Sequence, residues 1–135
     1  MTNIYNNIFQ YAKEYITTNS IYEPYVLKAT PEESKVFPLV IITQRNDYLK
    51  DETLKKTEKQ NVLSYEIEIF ARDTSVNRQT IVEELVKLVN DVFEDDIGFR
   101  RTQASPVPNI DLSVDRFVLE YEGVFDEKSN KIFRK

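Results

Sequence analysis

The chain has 135 residues, 41% of them hydrophobic and 30% charged, a size and balance suited to one soluble globular domain rather than a disordered tail or a membrane bundle. Its net charge of −5, with no clearly basic segment, argues against a dedicated nucleic-acid surface. It contains neither cysteine nor histidine, which removes disulfides, thiolate sites, the commonest transition-metal ligand and the usual general base together.

Other classes fall on similar grounds. The two glycines, Gly98 and Gly123, cannot build a glycine-rich phosphate cradle. The longest apolar run, Val36 to Ile42, contains Pro38 and is far below the roughly 20 residues of a membrane span. The first residues show no basic stretch followed by an apolar one, so no secretory signal is expected. There is no internal repeat.

In chain order, Ile4, Tyr5, Ile8, Phe9, Ala12, Tyr15 and Ile16 recur at helical spacing and predict a helix from about Thr2 to Thr17. Its apolar stripe suits a core, with Tyr5 or Tyr15 available to a neighbouring subunit. Ser20 to Lys35 reads as irregular, because Pro24 and Pro31 interrupt any regular element. Phe37 to Gln44 is the next strand, and its continuous apolar character predicts burial on both faces.

Arg45 to Asn61 reads as a long polar loop. Arg45, Tyr48, Lys50, Lys55, Lys56 and Lys59 are its candidate partner contacts. Val62 to Ala71 then alternates apolar Leu63, Tyr65, Ile67 and Ile69 with Ser64, Glu66 and Glu68, a half-buried strand. Asp73, Thr74 or Ser75 is positioned to cap the helix that follows. In that helix Ile81, Val82, Leu85, Leu88, Val89, Val92 and Phe93 form one stripe.

Glu94, Asp95 and Asp96 would stand at the negative end of the helix dipole, with Arg100 and Arg101 nearest to offset them. Their spacing does not match a calcium loop. Gly98 should stop the helix, and Phe99 to Ser105 can run as a strand up to Pro106 and Pro108. The last long strand is Val114 to Phe125, followed by a basic tail in which Ile132 and Phe133 can anchor onto the sheet. The order α-β-β-α-β-β predicts an α+β fold: two helices on one face of a mostly antiparallel four-stranded sheet, in a single domain spanning residues 1–135.

Several stretches taken in order carry a family likeness: Phe37-Pro38-Leu39-Val40-Ile41-Ile42, then Leu63 to Phe70. Gly98-Phe99-Arg100-Arg101-Thr102 follows, leading to Pro106-Val107-Pro108-Asn109, and Asp115 to Val124 closes the series. In this order the chain resembles the tail terminator (tail-completion, minor tail) proteins of long-tailed bacteriophages, the family of the lambda tail terminator. The resemblance implies a structural virion protein without a cofactor, metal or catalytic residue. It implies a homohexameric ring that caps the tail tube, ends tube polymerisation and forms the tail side of the head–tail joint. The implied partners are further copies of itself, the tube protein and a head-side connector or stopper. No membrane or specific nucleic-acid binding is implied, although DNA has room to pass through such a ring. Assembly would take place in the host cytoplasm. Arg100 and Arg101 join the loop residues as candidate contacts.

Two other readings are open. Another connector or stopper of the phage neck would share the size and the α+β character. A small enzyme could pair Glu66 with Glu68, or Glu120 with Glu122, as acid and base. However, acids two apart on a strand beside Lys and Arg make a solvated face, and no enzymatic activity is expected.

Overall fold

The computed structural model describes residues 4–28, 37–49, 60–108, 112–126 and 131–134. Helix α1 spans Ile4–Asn19 and buries Ile8, Phe9, Ala12 and Ile16, one stripe at three- and four-residue steps. Its last carbonyls find local partners: the Thr17 hydroxyl donates to Lys13 O, the Asn19 amide to Tyr15 O, and the Ser20 N–H to Ile16 O.

Six strands follow: β1 (Tyr25–Leu27), β2 (Leu39–Leu49), β3 (Gln60–Arg72), β4 (Arg100–Val107), β5 (Val114–Asp126) and β6 (Lys131–Arg134). Five of them run in the order β1-β2-β3-β5-β4, and β6 pairs with β5 off that path. Helix α2 (Arg78–Asn90) connects β3 to the second half of the sheet.

This corrects the predicted architecture. The sheet is mixed, not a four-stranded and mostly antiparallel one, because β1 pairs in parallel with β2. Two strands escape the α-β-β-α-β-β order, and both are short. A three-residue strand beside Pro24 is too brief to show a period of two. The four residues of β6 lie in a charged tail.

Strand lengths differ as well. β2 continues through Arg45 to Leu49, paired with β3 as far as Leu49↔Asn61. Part of the expected 45–61 loop is therefore strand, and residues 50–59 lie outside the described residues. β4 runs on through Pro106 to Val107. A proline is tolerated there because β4 is an edge strand, where a missing donor need not break a ladder.

Strand β3 is the centre of the sheet. It pairs with β2 on one side and along its whole length with β5 on the other, antiparallel in both cases. Leu63, Tyr65, Ile67, Ile69 and Ala71 face the helices and are fully buried against Ile81, Leu85 and Val89 of α2 and Ile8, Ala12 and Ile16 of α1. Each such aliphatic side chain contributes about 1.5–3 kcal/mol when taken out of water. Leu39, Val40, Ile41 and Ile42 are all buried, matching the unbroken apolar character of that strand.

Helix α2 is capped by Asn77, whose side chain accepts from Gln79 N at 2.8 Å, while Asp73 Oδ1 accepts from Arg78 N at 2.8 Å. The expected cap region was Asp73 to Ser75. The chain places the cap two residues later and uses Asp73 from outside. Beyond Asn90 the helix widens into a π-helical stretch, Asp91–Ile97. Gly98 ends it at φ 93°, a left-handed conformation that glycine adopts without a Cβ penalty. The amides of Gly98 and Phe99 both donate to Phe93 O, and this turn swings Phe99 into the core.

Candidate interaction surface

An aromatic block sets the upper end of the sheet. Tyr65 and Tyr121 are register partners on β3 and β5. Phe93 from the π-helix stacks on Tyr121 with centroids 5.2 Å apart, and Phe99 stacks on Tyr65 at 5.5 Å. The space beside Gly123 is occupied by the Phe99 ring, since a Cβ there would lie 2.0 Å from a ring carbon. The Tyr121 hydroxyl donates to Asn90 Oδ1 at 3.1 Å, and Arg101 Nη1 donates to the same oxygen at 3.5 Å. Burial pushes the Tyr121 phenol well above its usual range; Arg101 pulls it back somewhat, and Glu94 and Asp91 add to the rise.

In the acidic stretch after α2, Asp96 is held from helix α1. Tyr11 donates its hydroxyl to Asp96 Oδ2 at 2.9 Å, and that bond, more than burial, raises the Tyr11 phenol. Lys87 Nζ stands 3.6 Å from Asp91. Arg101 reaches the end of the helix at Asn90.

The arginine candidates separate by face. Arg100 is in register with Glu122 and Arg101 with Tyr121, so the two side chains leave β4 on opposite sides of the sheet. Arg45 sits at the β2 irregularity between Gln44 and Asn46, with its Nε 3.7 Å from Glu66. Tyr48 is a strand residue opposite Val62. Lys50, Lys55, Lys56 and Lys59 lie outside the described residues.

Glu66, Glu68, Glu120 and Glu122 share the sheet face turned away from the helices. Glu66 is in register with Glu120, and Ser64 with Glu122. Glu68 is held by Arg116, whose Nε donates to it at 2.8 Å and whose Nη2 contacts the same oxygen. The Arg116 guanidinium also lies 5.8 Å from the Phe70 ring centre. Among the described residues no group of three or more Asp or Glu side chains is arranged to hold a metal ion, and no helix is long and apolar enough to cross a membrane.

The two lateral sides of the sheet present different surfaces. On the β4 side, the edge strand is exposed at nearly every position and carries Arg100 and Arg101 with no acidic residue. Beside its end a groove of about 410 Å³ opens along α2, lined by the apolar Val82, Pro106, Val107 and Phe117 and by the charged Glu83, Asp115 and Arg116. Leu112 is 84% exposed on its rim. On the β1 side, Ile21 in the turn after α1 is 78% exposed and Tyr25, the first residue of β1, is 52% exposed. Sequence reading missed both patches. Their apolar residues stand singly among prolines and polar residues, without the periodicity that marks a buried face.

No family model matches the chain, and comparison with curated proteins finds no match.

Proposed function

We propose that this chain is a structural protein of the tail-terminator kind, which closes into a ring on the end of a phage tail tube and stops its growth. The observation that carries the reading is the inequality of the two lateral sides. One has an exposed edge strand and a groove, the other a small apolar protrusion, and a subunit that associates through two unlike sides does so head to tail. Such heterologous contacts give a ring when the rotation closes and a filament when it does not.

The likeness in order and spacing from Phe37 to Val124 adds the tube as the partner. On this reading the outer-face charges, Arg45 with Glu66 and Arg100 beside Glu122, set register and reject wrong neighbours. Lys50, Lys55, Lys56, Lys59 and Tyr48 contact tube or connector.

Mass photometry of the purified chain, alone and with tube protein, tests the proposal. A discrete closed oligomer, formed alone or only with tubes, is the expected result. A monomer at every concentration that ignores tubes would overturn it. In a virus lacking the chain, overlong tubes are expected, whereas tails of normal length that fail to join heads would point to a neck adaptor instead.

A further inference from the structure

We propose that the open edge formed by β6 and β4 binds an extended acidic segment of a partner protein, which adds to the sheet as a further strand. A single copy carries the whole of this edge, so the inference goes beyond the ring reading and does not rest on it.

Topology builds the edge. Strand β3 takes one side of β5 along its full length, from Gln60↔Asp126 to Arg72↔Val114. β6 and β4 therefore share the other side. β6 pairs with Asp126 to Gly123 of β5, and β4 pairs with Glu122 to Arg116. Arg134 stands opposite Gly123, and Arg100 stands opposite the adjacent Glu122. Two strands distant in sequence thus meet end to end along one edge, and among the described residues no further strand pairs with it.

The edge has one sign of charge. β6 reads Lys131-Ile132-Phe133-Arg134 and β4 begins Arg100-Arg101, and neither strand contains Asp or Glu, in a chain whose net charge is −5. The acids opposite them, Asp126, Glu122 and Glu120, belong to β5, one strand further in. Arg134, Arg100 and Arg101 occupy neighbouring positions at the junction. Arg100 and Arg101 leave β4 toward opposite faces of the sheet. A ligand lying on one face meets only one of them. An added strand meets both, because its residues alternate as well, and two adjacent acids place one carboxylate beside each guanidinium.

The backbone supplies the other half of the fit. β4 is exposed from Arg100 to Ala104, and Pro106 lies within it, in register with Phe117. Held in the ladder without a donor, Pro106 turns its nitrogen away from β5. Ala104, two residues earlier, turns its N–H outward in the same way. The irregularity between Arg101 and Gln103 is pinned by the Thr102 hydroxyl, which donates to Glu120 O at 3.3 Å. A bulge and a proline discourage indiscriminate pairing along an edge. Main-chain bonds then supply affinity over the open stretch before Pro106, and the arginines select the partner.

Fluorescence anisotropy with a labelled Val/Thr peptide carrying a central Glu-Asp pair tests the proposal. The chain should bind it saturably, and the same peptide with a central Lys-Lys pair should not compete. Arg100→Glu and Arg101→Glu, with folding checked by circular dichroism, should each weaken binding about tenfold or more. Ala104→Pro removes an outward donor and no charge, and should weaken binding severalfold. A fully N-methylated peptide of the acidic sequence, which leaves the chain untouched, should not bind.

No saturable binding of the acidic peptide, or equal binding of its N-methylated form, would overturn the inference. So would binding of oligothymidylate as tight as that of the peptide, the mark of a phosphate-binding surface. Self-association of the chain that Ala104→Pro abolishes would place a second copy on the edge and overturn it as well.

Discussion

Gly123 is the residue with the least freedom to change. Its missing side chain is where the Phe99 ring sits, so Gly123→Ala forces ring or strand to move. Overpacking of this kind costs about 1–3 kcal/mol. Urea melts should show the unfolding free energy falling by that amount, and pairing the change with Phe99→Leu should restore part of it.

Tyr121 offers a second test at this scale. Its phenol is neutral in the folded chain and its titration is raised by burial, whereas the unfolded chain releases that proton near the ordinary value of about 10. The unfolded state therefore loses a proton first as pH rises. The stability this group contributes is complete below pH ~10 and declines above it. Thermal melts from pH 8 to 11 should show the decline, and Tyr121→Phe should flatten it while costing about 1 kcal/mol at neutral pH for the bond to Asn90. The alternation of β5 places Tyr121 and Gly123 on the inner face. It cannot show that Phe99 fills the glycine's space, because that contact depends on the left-handed turn at Gly98.

Among the elements, α2 depends most on one local device. Asn77 supplies a side-chain acceptor to the first turn, so Asn77→Ala should cost about 1 kcal/mol in chemical denaturation, and Asn77→Asp much less. The outer sheet face carries the opposite kind of feature. Glu66 and Glu120 are like charges in register, an arrangement that destabilises a sheet. Replacing Glu120 by Lys should raise stability by about 0.2–1 kcal/mol, read as a higher melting temperature at low salt. If the face meets a partner, the same change should impair assembly despite the gain.

Elements with a sustained period were legible: the α1 stripe, the β3 alternation and the α2 stripe each span enough residues for one face to declare itself. β1 was not, since three residues beside Pro24 carry no period, and its parallel pairing is a tertiary fact. β2 and β4 ran past their expected ends for a related reason. Arg45, Asn46 and Asp47 read as loop locally, and Pro106 reads as a break, yet pairing with β3 and β5 holds both stretches extended. The candidate contacts followed the same logic. Charge marked Arg45, Arg100 and Arg101, but only the register shows that Arg100 and Arg101 face opposite ways.

For the molecule as a whole, the fold provides a sheet with one face covered by the helices, an opposite face on which Glu66, Glu68 and Glu120 alternate with the buried Leu39, Ile41, Val62 and Val118, and two unlike sides. The helices and the aromatic block stiffen it from one side, and strand β3 ties the two halves of the sheet together. On our account its work is done by shape: a copy fits the next copy sideways and the tube end axially, and growth halts because the far surface recruits no further tube subunit. The measurement that meets this claim most directly is the length distribution of tubes polymerised from purified tube protein, imaged by electron microscopy with and without the chain. The account predicts that substoichiometric amounts shorten the tubes and place a ring-shaped density at one end. Unchanged lengths with bare ends, at saturating amounts of the chain, would contradict it.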